Sequence, residues 1–197
     1  MNSPDLMFEH ALDVLKGWLP GNMGSLDYSA KLSDDVTFTV PRGRVAHIQQ
    51  DGDGSIRFHM GVSGKQMAIF LTQGAADFDV TNPGTTASGL FMHQAIAPTG
   101  VLSGIVATGG YQVETTEFDT TRTYAPNELL TADADDTTLA TGGVLDNKNS
   151  GAVALTVPWA GGGTTNAVCG VVCEGKKTNC HGVSVLNLWP IYLPGTT

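Results

Sequence analysis

The chain has 197 residues and a formal net charge of −9, with 10 Lys and Arg against 19 Asp and Glu. Charged residues make up 15% and hydrophobic residues 41%, whereas an ordinary globular protein carries about 25% charged residues. That balance excludes a disordered chain, and the scattered basic residues exclude a phosphate-binding surface, since Lys and Arg dominate nucleic-acid affinity.

Glycine (25) and threonine (23) take the place of the missing charges. Thr suits pleated surfaces and Gly supplies turns of positive φ, so the bias points to many strands and tight loops. Residues 1–5 lack a basic region, and residues 6–19 are interrupted by Glu9, His10, Asp13 and Lys16, so no signal peptide is expected. No apolar run reaches the length of about 18 residues that a membrane helix needs. Residues 80–113 and 149–173 contain no Asp, Glu, Lys or Arg. They are rich in Gly and Thr, which suits packed strands or buried protein–protein contact.

At the start of the chain, Ser3-Pro4-Asp5 reads as a helix N-terminus, with a Ser cap and Pro at the first helical position. Met7, Ala11, Val14, Leu15 and Trp18 form one stripe at helical spacing, and Gly17 and Pro20-Gly21 end it. So short a helix is marginal alone. It packs either on its own domain or as an arm on a neighbouring subunit, with Met7, Ala11, Val14 and Trp18 as the contact. Residues 21–35 read as a polar connector. The expected organisation is an arm at 1–35 and a β-rich domain at 36–197, with sub-barrels at 36–80 and 81–197 as an option.

Residues 36–40 alternate and stop at Pro41-Arg42-Gly43. Residues 44–50 and 56–60 flank Asp51-Gly52-Asp53-Gly54-Ser55, and Asp-Gly between alternating runs predicts a hairpin. The same turn resembles the start of a calcium loop. Its acid eleven positions after Asp51 is missing, because Val62 stands there. Residues 67–71 predict a short strand buried on both faces, and 92–96 and 101–107 predict two more. In residues 111–118, Tyr111 and Val113 share one face and Gln112 and Glu114 the other, with the strand ending near Thr116. Pro126 marks an edge segment before Leu129-Leu130 returns to the core. Residues 152–157 and 167–172 predict strands, as does the closing run 183–193, where Pro190 is expected to end the ladder. Roughly ten strands at this spacing predict a mainly β fold, an antiparallel β-sandwich or barrel with a short N-terminal α-helix.

The chemistry-bearing residues form no recognised catalytic pattern. Cys169, Cys173, Cys180 and His181 lack the paired knuckle spacing of a zinc site. Strand alternation places Cys169 and Cys173 on one face. Buried thiols in a reducing compartment are expected, with a disulfide or zinc as alternatives. His47 and His59 lie symmetrically about the Asp51–Ser55 turn, placed as cross-strand neighbours; His10, His93 and His181 join no pattern. Asp133, Asp135 and Asp136 read as a solvated turn rather than a cation site. No nucleophile elbow, P-loop or dinucleotide fingerprint occurs. The chain is therefore expected not to be an enzyme, with no catalytic residues, cofactor or metal assigned, and with neither nucleic acid nor membrane as partner.

Several blocks carry a resemblance. Arg44-Val-Ala-His-Ile48 with its hairpin, Gly61-Val-Ser-Gly-Lys-Gln-Met-Ala-Ile-Phe-Leu71 and Asp77-Phe-Asp-Val80 resemble small structural proteins of tailed-phage heads. So do Gly109-Gly-Tyr-Gln-Val-Glu-Thr-Thr-Glu-Phe118, Tyr124-Ala-Pro-Asn-Glu-Leu-Leu130 and Leu188-Trp-Pro-Ile-Tyr-Leu193. Over residues 36–197 the chain resembles the decoration, or cement, proteins of the outer head surface. The resemblance implies a β-rich homo-dimer or homo-trimer that contacts the major capsid protein and stabilises the capsid, without catalysis. A carbohydrate-binding or fibre-type receptor-binding module is the alternative. It would need exposed aromatic residues, for which Tyr124, Trp159 and Trp189 are the candidates. A metal-dependent hydrolase would rest on the cysteine cluster alone.

Overall fold

A computed structural model describes residues 12–17, 27–72, 101–149, 153–154, 167–179 and 182–195. In chain order the strands are β1 (Leu12–Gly17), β2 (Asp27–Leu32), β3 (Val45–Gln50), β4 (Ile56–Met60), β5 (Ile69–Leu71) and β6 (Val101–Val106). They are followed by β7 (Tyr111–Thr115), β8 (Leu129–Ala132), β9 (Leu145–Asp146), β10 (Lys148–Asn149), β11 (Val153–Ala154), β12 (Val168–Thr178) and β13 (Ser184–Leu193). The mainly β architecture is present as a closed barrel and a second sheet.

The barrel runs β2-β4-β3-β5-β6. Its register shows how alternation divides the side chains. Ala46 lies opposite Met60 and Ile69, Leu71 opposite Gly104, Leu102 opposite Ala30, and Leu32 opposite Phe58. These positions share one phase and make one core cluster, the barrel interior. Gly104 is required there, because a Cβ would sit 2.4 Å from Ile69 Cγ2. The intervening residues Val45, Phe70 and Ile105 point outward into a second cluster with Tyr111, Val113, Leu130, Leu186 and Leu188. That cluster joins the barrel to the six-stranded sheet, ordered β1-β7-β13-β12-β8-β9. One continuous core therefore spans both sheets.

Residues 36–40 form no extended strand beyond a bridge at Val40. Their alternation serves another purpose: Val36, Phe38 and Val40 pack against the interior cluster, following β2 and preceding β3. They close the barrel at the end where β2 and β4 finish.

The expected N-terminal helix is not seen. Residues 12–17 are strand, antiparallel to β7, with Val14 opposite Val113 and a register shift between Val14 and Lys16. Without a docked partner a short helix gains little, whereas the open edge of β7 offers a hydrogen-bond ladder to a β-branched residue. Of the expected contact residues, Val14 lies in this strand, while Met7, Ala11 and Trp18 lie outside the described residues. The expected connector contains β2. The barrel also draws on β6, beyond residue 80, so its strands lie on both sides of the boundaries anticipated at 35 and 80. The predicted strand at 92–96 lies outside the described residues. So does most of the one at 152–157, of which β11 is described.

Pro190 does not end the last ladder. β13 continues to Leu193, with Gly170 opposite Pro190 and Val168 opposite Leu193. By Pro190 the strand has passed its pairing with β7, which covers Leu186–Leu188, so no ladder donor is needed on that side. The Pro190 carbonyl instead accepts the Gly109 N–H at 2.6 Å.

Candidate functional site

The polar side chains converge where the β3–β4 hairpin meets the 133–144 loop between β8 and β9. The Asp-Gly turn sets the hairpin register and places His47 directly opposite His59. Both project from the outer face of the barrel, one position out of phase with Ala46, Phe58 and Met60, and both are buried. Their rings stack with centroids 5.6 Å apart and planes at 25°. The loop docks through backbone bonds: Val45 N–H to the Gly143 carbonyl at 3.0 Å and Thr37 N–H to the Asp136 carbonyl at 2.9 Å. Gly61 permits this approach. Its φ is +74°, and a Cβ would lie 1.8 Å from the Asp133 carbonyl oxygen.

His59 is held at both nitrogens. Nδ1 is 2.8 Å from Asp136 Oδ2 and Nε2 is 2.6 Å from Asp51 Oδ1. The other Asp136 oxygen accepts the Met60 N–H at 2.7 Å. The other Asp51 oxygen accepts Ser33 Oγ–H at 3.1 Å and faces Arg57 Nε at 3.3 Å. Burial alone would lower the His59 pKa, but the bonds to Asp136 and Asp51 and their charges outweigh it and raise the value. His47 moves the other way. Burial lowers its pKa, and the nearby His59 charge adds to that, against the pull of the Gly61 carbonyl and Gln49. The Gly61 carbonyl lies 2.8 Å from His47 Nδ1, which must therefore donate.

Beside this pair, Arg44 joins three segments. Its Nε donates to Glu117 Oε2, and Nη1 donates to the carbonyls of Leu139 at 2.8 Å and Gly142 at 2.7 Å. A cleft of about 430 Å³ opens over this bond, with Arg44, Glu117, Asp119, Asp133, Leu139 and Asp146 in its lining. Burial raises the pKa of Asp146, with Asp119 and Asp133 adding to the effect against Arg122. Burial and then Asp135 raise that of Asp133. Asp135 itself is held low, first by the Thr141 hydroxyl and then by the backbone and side chain of Thr137.

This arrangement binds separate segments of the chain together. Both ring nitrogens of His59 already face carboxylates, so neither is open to take a proton from a substrate. Ser33 donates to Asp51 rather than to an imidazole, so it is not paired with a base. Among the described residues, no group of three or more His, Cys, Asp or Glu is placed to hold a metal ion. Asp51, the first residue of the calcium-like turn, pairs with His59 and Arg57 instead.

The remaining candidates scatter. Cys169 is fully buried and its Sγ donates to the Leu130 carbonyl at 3.4 Å. Cys173 is half-buried. Register shifts lie at Val168/Gly170 and Val172/Glu174, and Cys169 lies in the core with Val172. Cys180, His181, His10, His93 and Trp159 lie outside the described residues. Tyr124 is buried, its hydroxyl donating to the Asp119 carbonyl at 3.0 Å, and Trp189 is half-buried opposite Val171. Sequence reasoning missed Arg44–Glu117 and His59–Asp136, which lie 73 and 77 residues apart. Neither pair has a local signal.

A second feature is apolar. Tyr28, Ile56 and Met67 are large hydrophobic residues left 40%, 55% and 50% exposed. All three stand in the interior phase of the barrel: Tyr28 with Ala30 and Leu32, Ile56 with Phe58, and Met67 with Ile69. The Tyr28 ring meets Phe58 edge-on at 6.4 Å. All three lie at the end where β2 and β4 begin and β3 finishes, opposite the end that Val36, Phe38 and Val40 close.

No family model matches this chain, and no curated protein or solved structure matches it.

Proposed function

We propose that the chain is a non-enzymatic structural protein that binds the outer surface of an icosahedral viral capsid as a decoration protein. In this reading it bridges subunits of the major capsid protein and acts as a homo-dimer or homo-trimer. The observation that carries the reading is the open apolar barrel end, Tyr28, Ile56 and Met67, beside polar clusters already engaged within the molecule. Burying a large apolar side chain is worth roughly 1.5–3 kcal/mol, so covering this end gives a partner a real but modest gain. Three side chains fall well short of the ~800 Å² per partner of a stable interface. Weak contacts repeated through an oligomer on a lattice reach high avidity without a larger patch. The carbohydrate-binding alternative is weakened by the burial of Tyr124.

Co-sedimentation with undecorated capsids tests the reading. The wild-type chain should pellet with capsids at micromolar concentration. The double variant Ile56→Asp/Met67→Asp should bind at least about tenfold more weakly, as expected when an apolar anchor is lost, with its thermal midpoint unchanged. A wild-type chain that stays in the supernatant sinks the proposal. Equal binding by the double variant moves the contact away from the barrel end.

A further inference from the structure

The stacked histidines do more than fill space, because His59 connects two elements that no covalent neighbour joins. Asp51 belongs to the same hairpin and has other donors in Ser33 and Arg57. Asp136 comes from the 133–144 loop, and its side chain reaches only His59 and the Met60 N–H among the described contacts. An imidazolium can donate to both carboxylates at once, whereas a neutral imidazole has one N–H and turns a lone pair toward one of them. We propose that His59 is a charge-dependent latch, which holds the Asp136 segment on the barrel while its ring carries both protons and releases it when one is lost.

The surroundings suit a single switch. From the hairpin, His59 faces His47, Asp51 and Arg57. Arg57 is itself balanced by Asp51, by Asp53 and, from the turn after β2, by Asp34. From the loop it faces Asp136, while Asp135 is turned into its own loop toward Thr137 and Thr141. Burial lowers the His47 value, so His47 gives up its proton before His59 does. The raised His59 value gives the sign: the latch contributes fully below the ordinary value of 6.5 and is lost as pH rises through the folded value. Release is confined to the Asp136 segment, because Arg44 holds the carbonyls of Leu139 and Gly142 independently.

Two amides report on the latch, and one serves as a control. The N–H groups of Thr37 and Met60 both bond to Asp136, through its carbonyl and its carboxylate respectively. The Val45 N–H bonds to Gly143 on the side that Arg44 holds. Hydrogen exchange on the full chain between pH 6.5 and 9, corrected for the intrinsic rate, should show Thr37 and Met60 opening at least about tenfold more often at high pH, the scale of a lost charged hydrogen bond. Val45 should hold. The midpoint should coincide with the His59 ring titration followed by NMR. In His59→Gln, whose donor count does not change with pH, the pH dependence should vanish. Exchange independent of pH in the wild type, or unchanged pH dependence in His59→Gln, overturns the latch. If His59→Gln does not fold, the wild type decides: ring and amide midpoints differing by more than about one pH unit overturn it equally.

Discussion

Replacing Arg44 by Met would leave Glu117 without its cation and two loop carbonyls without their donor, all beside a buried position. Removing one partner of a buried ion pair typically costs about 3–5 kcal/mol, because the remaining charge stays uncompensated. Arg44→Met should therefore lower the urea midpoint strongly. Arg44→Met combined with Glu117→Leu should recover part of the loss, since an apolar pair of similar volume is often neutral. Equal destabilisation by the single and double variants would show that the carbonyl bonds, rather than the charge pair, hold the joint. Cys169 illustrates the opposite kind of residue. Its burial raises the thiol pKa well above the ordinary range and leaves it an apolar filler of the core.

Among the elements, β13 has the central place. It lies between β7 and β12 in the six-stranded sheet, and Val185, Leu186 and Leu188 are fully buried. Truncation after Asn187 would remove Leu188 together with the partners of Val168, Gly170, Val171 and Val172 on β12. Loss of one fully buried large side chain is worth roughly 1.5–3 kcal/mol, and the lost ladder adds to it. The expected product is insoluble or molten, judged by near-ultraviolet circular dichroism and gel filtration. A soluble truncation with a cooperative melt would show that residues 188–197 are dispensable to the core. β1 occupies the opposite situation, an edge strand paired only with β7 among the described residues. Its Asp13 lies opposite Glu114 in the register.

At the scale of the molecule, the barrel and the sheet share one apolar cluster. Val45, Val62, Ala68, Phe70 and Ile105 from the barrel side pack with Tyr111, Val113, Leu130 and Leu186 of the sheet. Neither sheet can lose its partner without exposing that face. Chemical unfolding should therefore be a single transition, with tryptophan fluorescence and far-ultraviolet circular dichroism superimposing at every urea concentration. Two separated transitions would mean that the barrel and the sheet are independent folding units and that the joint at Arg44 and His59 is a docking contact.

What could be read from the residues alone was local. The Asp-Gly turn set the hairpin and placed His47 opposite His59, because a two-stranded register follows from the turn and a period of two. Alternation at Tyr111–Thr115 and the apolar run ending in Ile69–Leu71 likewise located strands, since burial of one or both faces leaves its pattern in the side chains. The same logic misread residues 12–17, whose apolar spacing also suits a helix, until the open edge of β7 decided for strand. It also misread residues 36–40, whose alternation closes a barrel end rather than extending a sheet. Barrel closure by β6, the register shifts between β12 and β13, and the pairs Arg44–Glu117 and His59–Asp136 depended on the tertiary structure. Those contacts join residues far apart in the chain, and no short-range preference specifies them. They form only when burial of the common apolar face brings the two sheets together and leaves each buried charge in need of a partner.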